Sequence, residues 1–336
     1  MSNGITQLRA EMARQHTDAR ASLDAARAKA PHMAVTLRAS GRLALIGMGG
    51  SHWVNRIVCA SYRRAGLDAT THVASEYLRA PLPGAPAMLV TSQSGRSGEI
   101  VRLIDAGLTG ARAIGLTMEA DSPLARALPS LVGAGGPELA YAATRSQLIA
   151  LAQHAALLEA LGADIGEIVA LLDAGPERPA TAQAVDRLAN APLAVMFGRG
   201  MTAQGVMDAA GLCLTETARM PVLGLEAGQF RHGPFEMIEP DTAVVMLRAA
   251  GAPADDIAPL AAECLHYGIR PILLDASGRA PVAGALTLKL ALRDGLALAV
   301  AALPVLQEIV VSAAEKRLPD TGIPRRSTKV ASAEVA

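Results

Sequence analysis

Residues Ala87 to Ile100 read AMLVTSQSGRSGEI. The apolar run Met88-Leu89-Val90 has the composition of a buried strand, and Ile100-Val101-Arg102-Leu103-Ile104 returns apolar residues at helical spacing. Between them lies Thr91 to Glu99, a stretch of hydroxyl and amide side chains with two glycines. In a parallel sheet this is where a ligand binds, because the helix amino terminus presents unpaired N–H groups and the positive end of its dipole. Glycines let the backbone approach an anion, and Ser92, Gln93, Ser94 and Ser97 can donate hydrogen bonds to phosphate oxygens. The loop lacks the lysine of the GxxxxGKS/T pattern, which excludes a nucleotide P-loop. The competing reading is a plain strand-to-helix turn in which a serine caps the helix.

Outward from this loop, short β-like runs alternate with helical ones: Leu43 to Ile46, Thr70 to Val73, Met88 to Val90, Ala113 to Leu116 and Leu131-Val132. A second series comprises Leu193 to Phe197, Ala243 to Leu247, Pro271 to Leu274 and Leu286 to Leu290. Such alternation predicts α/β architecture with parallel sheets covered by helices. The two series open alike, with LALIGMGGS at Leu43 to Ser51 and LAVMFGRGMT at Leu193 to Thr202, which suggests a duplicated unit. The first of these loops is not GxGxxG, which weighs against a dinucleotide site, but Ser51 could close the same pocket as the serines after Val90.

The flanking segments fit this layout. Ile5 to Ala28 reads as a long amphipathic helix ended by Pro31, and Asp173 to Thr181, DAGPERPAT, reads as a linker. The last stretch, from Leu318, holds two prolines and no periodicity. The expected domains are therefore 1–180, 181–318 and a tail of 319–336.

The charges balance, with 31 Lys plus Arg against 31 Asp plus Glu, so no basic surface for nucleic acid is expected. Aromatic residues make up only 2% of the chain, so the core must be aliphatic. The amino terminus shows no secretory signal. Gly295 to Leu306 is too short to span a bilayer and contains Pro304, so it reads as a buried helix and no membrane partner is expected. Cys59, Cys213 and Cys264 have no paired spacing, which argues against disulfides or a zinc site and for a cytoplasmic protein.

A second constellation is Gln229-Phe230-Arg231-His232-Gly233-Pro234, where a histidine at a turn reads either as an acid or base near neutral pH or as an ordinary loop residue. Glu216, in the helical run Asp208 to Arg219, has nothing local to distinguish it from Glu263.

Taken together, these residues resemble the sugar isomerase (SIS) domain family, and in particular the isomerase half of glutamine–fructose-6-phosphate aminotransferase and its stand-alone deaminase and deglycase relatives. The resemblance runs through Glu11 to Gln15, Gly47 to Ser51, Ala74 to Tyr77, Thr91 to Ser97 and Asp121 to Ala125. It continues through Gly136-Pro137-Glu138, Ala142 to Ser146, Phe197 to Gly200, Arg231 to Pro234 and Pro324 to Val330. It implies two tandem SIS domains, each a flavodoxin-like parallel sheet flanked by helices. By the same resemblance Ser51, Ser92, Gln93, Ser94 and Ser97 hold the phosphate of a sugar phosphate, and Gly49, Gly50, Ala142, Ala143 and Thr144 line the pocket. Glu216 would move a proton between C1 and C2, His232 would open the sugar ring from the neighbouring subunit of a homodimer, and Lys329 in the tail would lie over the open-chain sugar. No metal and no cofactor is implied.

Three departures stand out. Ala143-Thr144-Arg145 stands where Ser or Ala and Thr-Lys are common, Cys213 replaces a lysine before the catalytic glutamate, and Gln229 replaces a glutamate. The amino terminus shows no glutaminase domain, so an ammonia source is not expected in the chain. The implied activity is an aminosugar-phosphate deaminase/isomerase, most simply converting glucosamine 6-phosphate to fructose 6-phosphate and ammonia. The alternatives are a fructosamine-6-phosphate deglycase, another aldose–ketose phosphosugar isomerase, or a non-catalytic phosphosugar sensor.

Overall fold

The computed structural model describes residues 3–330. Contacts divide them into two compact units, the first made of residues 7–175 and 324–330 and the second of 3–6 and 176–323. The boundary falls inside the Asp173–Thr181 stretch, where residues 175–181 have no regular structure.

In chain order the first part runs α1 (Asn3–Arg27), α2 (Ala30–Ser40), β1 (Arg42–Gly47), α3 (Gly49–Arg64), β2 (Asp68–Val73), α4 (Ala74–Tyr77) and β3 (Ala87–Thr91). It continues with α5 (Gly98–Asp105), β4 (Ala113–Thr117), α6 (Pro123–Ala127), β5 (Ser130–Val132), α7 (Arg145–Ala160) and α8 (Gly166–Ala174). Pro31 does more than stop α1. It sits in the first turn of α2, where its missing N–H removes no helical bond.

The strands form a parallel sheet of order β2-β1-β3-β4-β5. Because β1 leads to β2 on one side while β3 lies on the other, the crossovers diverge between β1 and β3. In this type of sheet that divergence opens a crevice beyond the strand ends. β3 and β4 are buried along their whole length, as strands covered on both faces must be. α7 is buried from Arg145 to Leu158 and packs against α2 and α3, so it carries apolar residues on every side rather than along one stripe.

The second part runs α9 (Ala182–Asn190), β6 (Ala194–Gly198), α10 (Gly200–Ala218), β7 (Val222–Gly224), α11 (Ala227–Phe230), β8 (Ala243–Arg248), α12 (Pro253–His266), β9 (Ile272–Asp275), β10 (Leu286–Lys289) and α13 (Gly295–Arg317). Its parallel sheet has the order β10-β9-β8-β6-β7, which is the order of the first sheet once the strands are counted from β6. The three-residue edge strand β7 completes the match; it is too short to show a period in sequence.

The expectation that the Gly295 segment is too short to span a bilayer is corrected. The helix continues through Pro304 to Arg317, and its 23 residues are long and apolar enough to cross a membrane. Burial, rather than length, marks it as a core helix, since 83% of its apolar window is buried within the protein, and α10 and α9 pack against it.

The chain has three phenylalanines, and all three meet in the second unit. Phe197 at the end of β6 stacks on Phe230 with ring centroids 4.6 Å apart, and Phe230 meets Phe235 edge-on at 5.4 Å. This cluster lies directly before and after Arg231-His232-Gly233 and so fixes the turn from beneath. Phe230 is fully buried. Phe230→Ala is expected to cost about 3–5 kcal/mol in urea unfolding, because a ring-sized void would open under that turn.

Candidate functional site

Gly47, the last residue of β1, pairs in register with Thr91, the last residue of β3. The loops that leave these two strands therefore start side by side at the point where the crossovers diverge. Thr91 Oγ1 donates to Asn55 Oδ1 at 2.8 Å, which ties the end of β3 to the second turn of α3. Asn55 is fully buried, and its Nδ2 lies close beneath Gly47, where a Cβ would approach it to 3.0 Å.

The loop Ser92–Ser97 folds on its own hydroxyls. Ser92 Oγ accepts from the Gly95 N–H at 3.1 Å, and Ser94 Oγ accepts from the Arg96 N–H at 3.2 Å. Both serines are buried. Gly95 has φ +60 and would drive a methyl into the Ser122 hydroxyl and within 3.0 Å of Leu124 Cβ, so only glycine fits. Arg96 is engaged by two carboxylates, with Nε on Glu119 at 2.9 Å and Nη2 on Asp121 at 3.2 Å.

The capping reading of these serines does not hold. Ser97 occupies the residue before α5, yet its side chain makes no capping bond. The residue before α3 is Met48, so Ser51 lies inside the first turn rather than at its cap. Ser51 and Ser97 thus stand at the first turns of α3 and α5 without serving as caps. Gln93 is half-buried between Ser92 and Ser94, and its carbonyl accepts from Met118 N at 2.9 Å.

A third loop closes on the start of α3. At Gly50 a Cβ would lie 3.0 Å from Gln147 Nε2 and 3.4 Å from Ala143 Cβ, so the start of α3, with Gly49 and Ser51, abuts the segment Ala142-Ala143-Thr144. That segment is held by Glu138, whose side chain is wholly buried. Glu138 Oε1 accepts from the N–H groups of Thr144 at 3.0 Å and Ser146 at 3.1 Å, and Oε2 accepts from Ser146 Oγ at 2.6 Å. The remaining partner comes from the tail: Lys329 Nζ lies 2.9 Å from Glu138 Oε2. Ser327 Oγ lies 2.6 Å from Tyr141 Oη, giving the tail a second attachment to this loop.

The loop is in turn set by Arg145, which is fully buried. Its guanidinium pairs with Glu11 and, at 2.9 Å, with Asp18, and donates to the carbonyls of Gly136 at 3.0 Å and Pro137 at 2.8 Å. Glu11 also accepts from Leu139 N–H at 2.8 Å. Both peptides beside Glu138 are thereby fastened by buried charged side chains.

Glu216 and His232 belong to the second unit. Glu216 is half-buried in the last turn of α10, three residues before Arg219 closes that helix with φ +51. Arg219 pairs with both oxygens of Asp320, at 2.8 and 2.9 Å. Cys213 is buried in α10. His232 is exposed in the turn after α11, on a cleft of about 430 Å³ that it shares with Arg199, Arg231 and Asp256. Arg199 is compensated there by Asp256 at 2.9 Å and Glu226 at 3.3 Å. Gly233 follows with φ +115, which a side chain would strain.

Ser51, Ser92, Gln93, Ser94, Ser97, Gly49, Gly50, Ala142, Ala143, Thr144 and Lys329 thus share the first unit. Glu138, Arg145 and Asn55 are the site-building residues to which sequence reading assigned no role. A signal was present for one of them: an arginine at the head of the run Arg145 to Leu158, otherwise without formal charge, must find acidic partners.

Burial pushes the Glu138 carboxyl up, but the Lys329 charge, the Ser146 hydroxyl and the Thr144 N–H outweigh it and hold the carboxyl below the usual glutamate range. A depressed folded-state value means that the contribution to stability is complete above the unfolded glutamate value of about 4.3 and is lost as pH falls through the folded value. Denaturant unfolding titrated downward from neutral pH should therefore lose stability below about pH 4.3, and Glu138→Gln should flatten that acid limb.

No family model matches the chain. Among curated proteins, a glutamine–fructose-6-phosphate aminotransferase of Lactiplantibacillus plantarum is 27% identical over 230 residues, covering 62% of this chain and 38% of the relative. The chain spans less than two fifths of the length of the curated relatives it matches. The solved C-terminal domain of glucosamine-fructose-6-phosphate aminotransferase from Francisella tularensis superposes with TM-score 0.81 at 14% identity, covering 93% of this chain and 96% of that one. A structure from Silicibacter pomeroyi, provisionally a phosphosugar isomerase, superposes with TM-score 0.79 at 25% identity over 93% of this chain and 98% of its own. In sequence the chain is similar to the isomerase domain of glutamine–fructose-6-phosphate aminotransferases, and in fold to the SIS phosphosugar isomerases.

Proposed function

We propose that the protein is a phosphosugar isomerase whose reaction is the deamination and isomerisation of an aminosugar phosphate, most simply glucosamine 6-phosphate to fructose 6-phosphate and ammonia. The observation that carries this reading is the pair of hydroxyl-bearing loops leaving β1 and β3, in which neither Ser51 nor Ser97 is used as a helix cap. Hydroxyls and helix N–H groups gathered there suit a phosphate monoester, with Ser51, Ser92, Gln93, Ser94 and Ser97 as its donors.

The chemistry follows from the substrate. A cyclic aminosugar must first open, which needs a proton moved to the ring oxygen; His232, from a second copy in a homodimer, is assigned this step. In the open aldehyde the C2 proton is acidified by the neighbouring carbonyl. Glu216 removes it while O1 takes a proton from the substrate ammonium, giving an enolamine, and Glu216 then returns its proton at C1 to leave an iminium at C2. Water then adds at C2, and ammonia leaves with the proton count balanced. Lys329 is assigned to the open-chain sugar. The chemistry as written calls for no metal or redox cofactor.

Ammonia release from glucosamine, galactosamine and fructosamine 6-phosphates is the direct test, and glucosamine 6-phosphate is the expected substrate. Binding without release across the panel would overturn the deaminase reading. Glu216→Gln should lower kcat by about 100-fold or more while leaving substrate binding intact, since it keeps the shape but cannot take the proton. Ser97→Ala should leave thermal stability unchanged, because no capping bond is lost, and raise KM roughly 10-fold, the worth of one hydrogen bond to a charged group.

A further inference from the structure

We propose that Glu138 is the positioning residue for Lys329: its buried carboxylate holds the lysine ammonium, and with it the segment 324–330, against the loop that borders the phosphate site. The inference rests on the reading in which Lys329 serves the bound sugar. Three observations carry it.

The first is the completeness of the socket. Glu138 has no exposed side-chain surface, and its two oxygens take four donors, three from the loop at Thr144 and Ser146 and the fourth from Lys329 Nζ at 2.9 Å. A carboxylate withdrawn from water needs partners of this kind. The tail lysine is the only one of the four that carries a full opposite charge.

The second is that the socket cannot yield. Arg145 holds the Pro137 carbonyl and Glu11 holds the Leu139 N–H, so the peptides on both sides of Glu138 are tied to buried charges. The carboxylate is preset, and Lys329, on a flexible stem with 23% of its side chain exposed, is the member that adapts.

The third is where the socket stands. Its donor Thr144 adjoins Ala143, which packs on Gly50 beside Ser51. A lysine seated on Glu138 is therefore delivered to the loop that abuts the phosphate site. Tyr141 with Ser327 gives the same segment a second, uncharged hold.

The test compares the full-length wild type with Glu138→Gln, Lys329→Met and the double variant. Without substrate, amide hydrogen exchange across residues 324–330 should rise on the order of 10-fold in each single variant and no further in the double. Unchanged exchange in either single variant overturns the proposal. With the phosphosugar that the wild type turns over, each single variant should lower kcat about 100-fold with KM little changed, the cost of a misplaced group. The double variant should match Lys329→Met alone; additive losses would show that Glu138 acts independently of the lysine and overturn the proposal. If the wild type turns over no phosphosugar, the proposed function fails, while the exchange experiment still decides the Glu138–Lys329 seat. Should Glu138→Gln not fold, Lys329→Met must by itself release the segment, and a segment that stays protected overturns the inference.

Discussion

A guanidinium taken wholly out of water has to be met by charge and by carbonyl oxygens, and Arg145 meets this constraint in a way that organises the first unit. Its acidic partners, Glu11 and Asp18, lie on α1, and its carbonyl partners, Gly136 and Pro137, lie on the chain leading to Glu138. A helix, a loop and the head of α7 are thus fixed by one side chain. Removing Arg145 would strip the buried Glu11 carboxylate of its nearest cation, and breaking a buried pair in this way costs about 3–5 kcal/mol where it has been measured in proteins. The guanidinium engages two carboxylates and the carbonyls of Ala134, Gly136 and Pro137 at once, which suits its planar fork and would be beyond the three donors of a lysine ammonium in the same geometry. The departure from lysine at this position is therefore accommodated by the surrounding acids.

The two sheets share one strand order and yet end in different chemistry. In the first unit, β3 runs into hydroxyls that accept from their own loop backbone. In the second, the corresponding strand β8 ends at Arg248, which is buried and spends its guanidinium on Asp275 at 3.2 Å and on the carbonyls of Ala254 and Ala280, each at 3.0 Å. No hydroxyl run follows it. Topology provides a crevice in both units, and side chains decide which one suits an anion.

The second unit instead presents a turn. Phe197 stacks on Phe230 and Phe235 meets Phe230 edge-on, on either side of Arg231-His232-Gly233 in the chain, and Gly233 takes a backbone angle that a side chain would strain. Gathering all three phenylalanines at one place stiffens that place, since aromatic pairs bring geometry as well as buried area.

Much of this was legible in the chain itself. Alternating apolar runs gave the α/β class and nine of the strands, because period and length are local properties, and the stretch AMLVTSQSGRSGEI placed the strand-to-helix turn between β3 and α5. The short edge strand β7, the true length of α13 and the reason it is not exposed were not legible, since each depends on neighbours distant in sequence. Whether the serines cap their helices also needed backbone geometry, as a serine before a helix reads the same in either role. Glu138 and Lys329 are separated by 191 positions, and no local pattern pairs them. The sequence by itself determined the α/β class and the segments that form nine of the strands; tertiary structure alone decided which buried charges compensate one another, because a desolvated charge is satisfied by whatever the fold brings within hydrogen-bond reach.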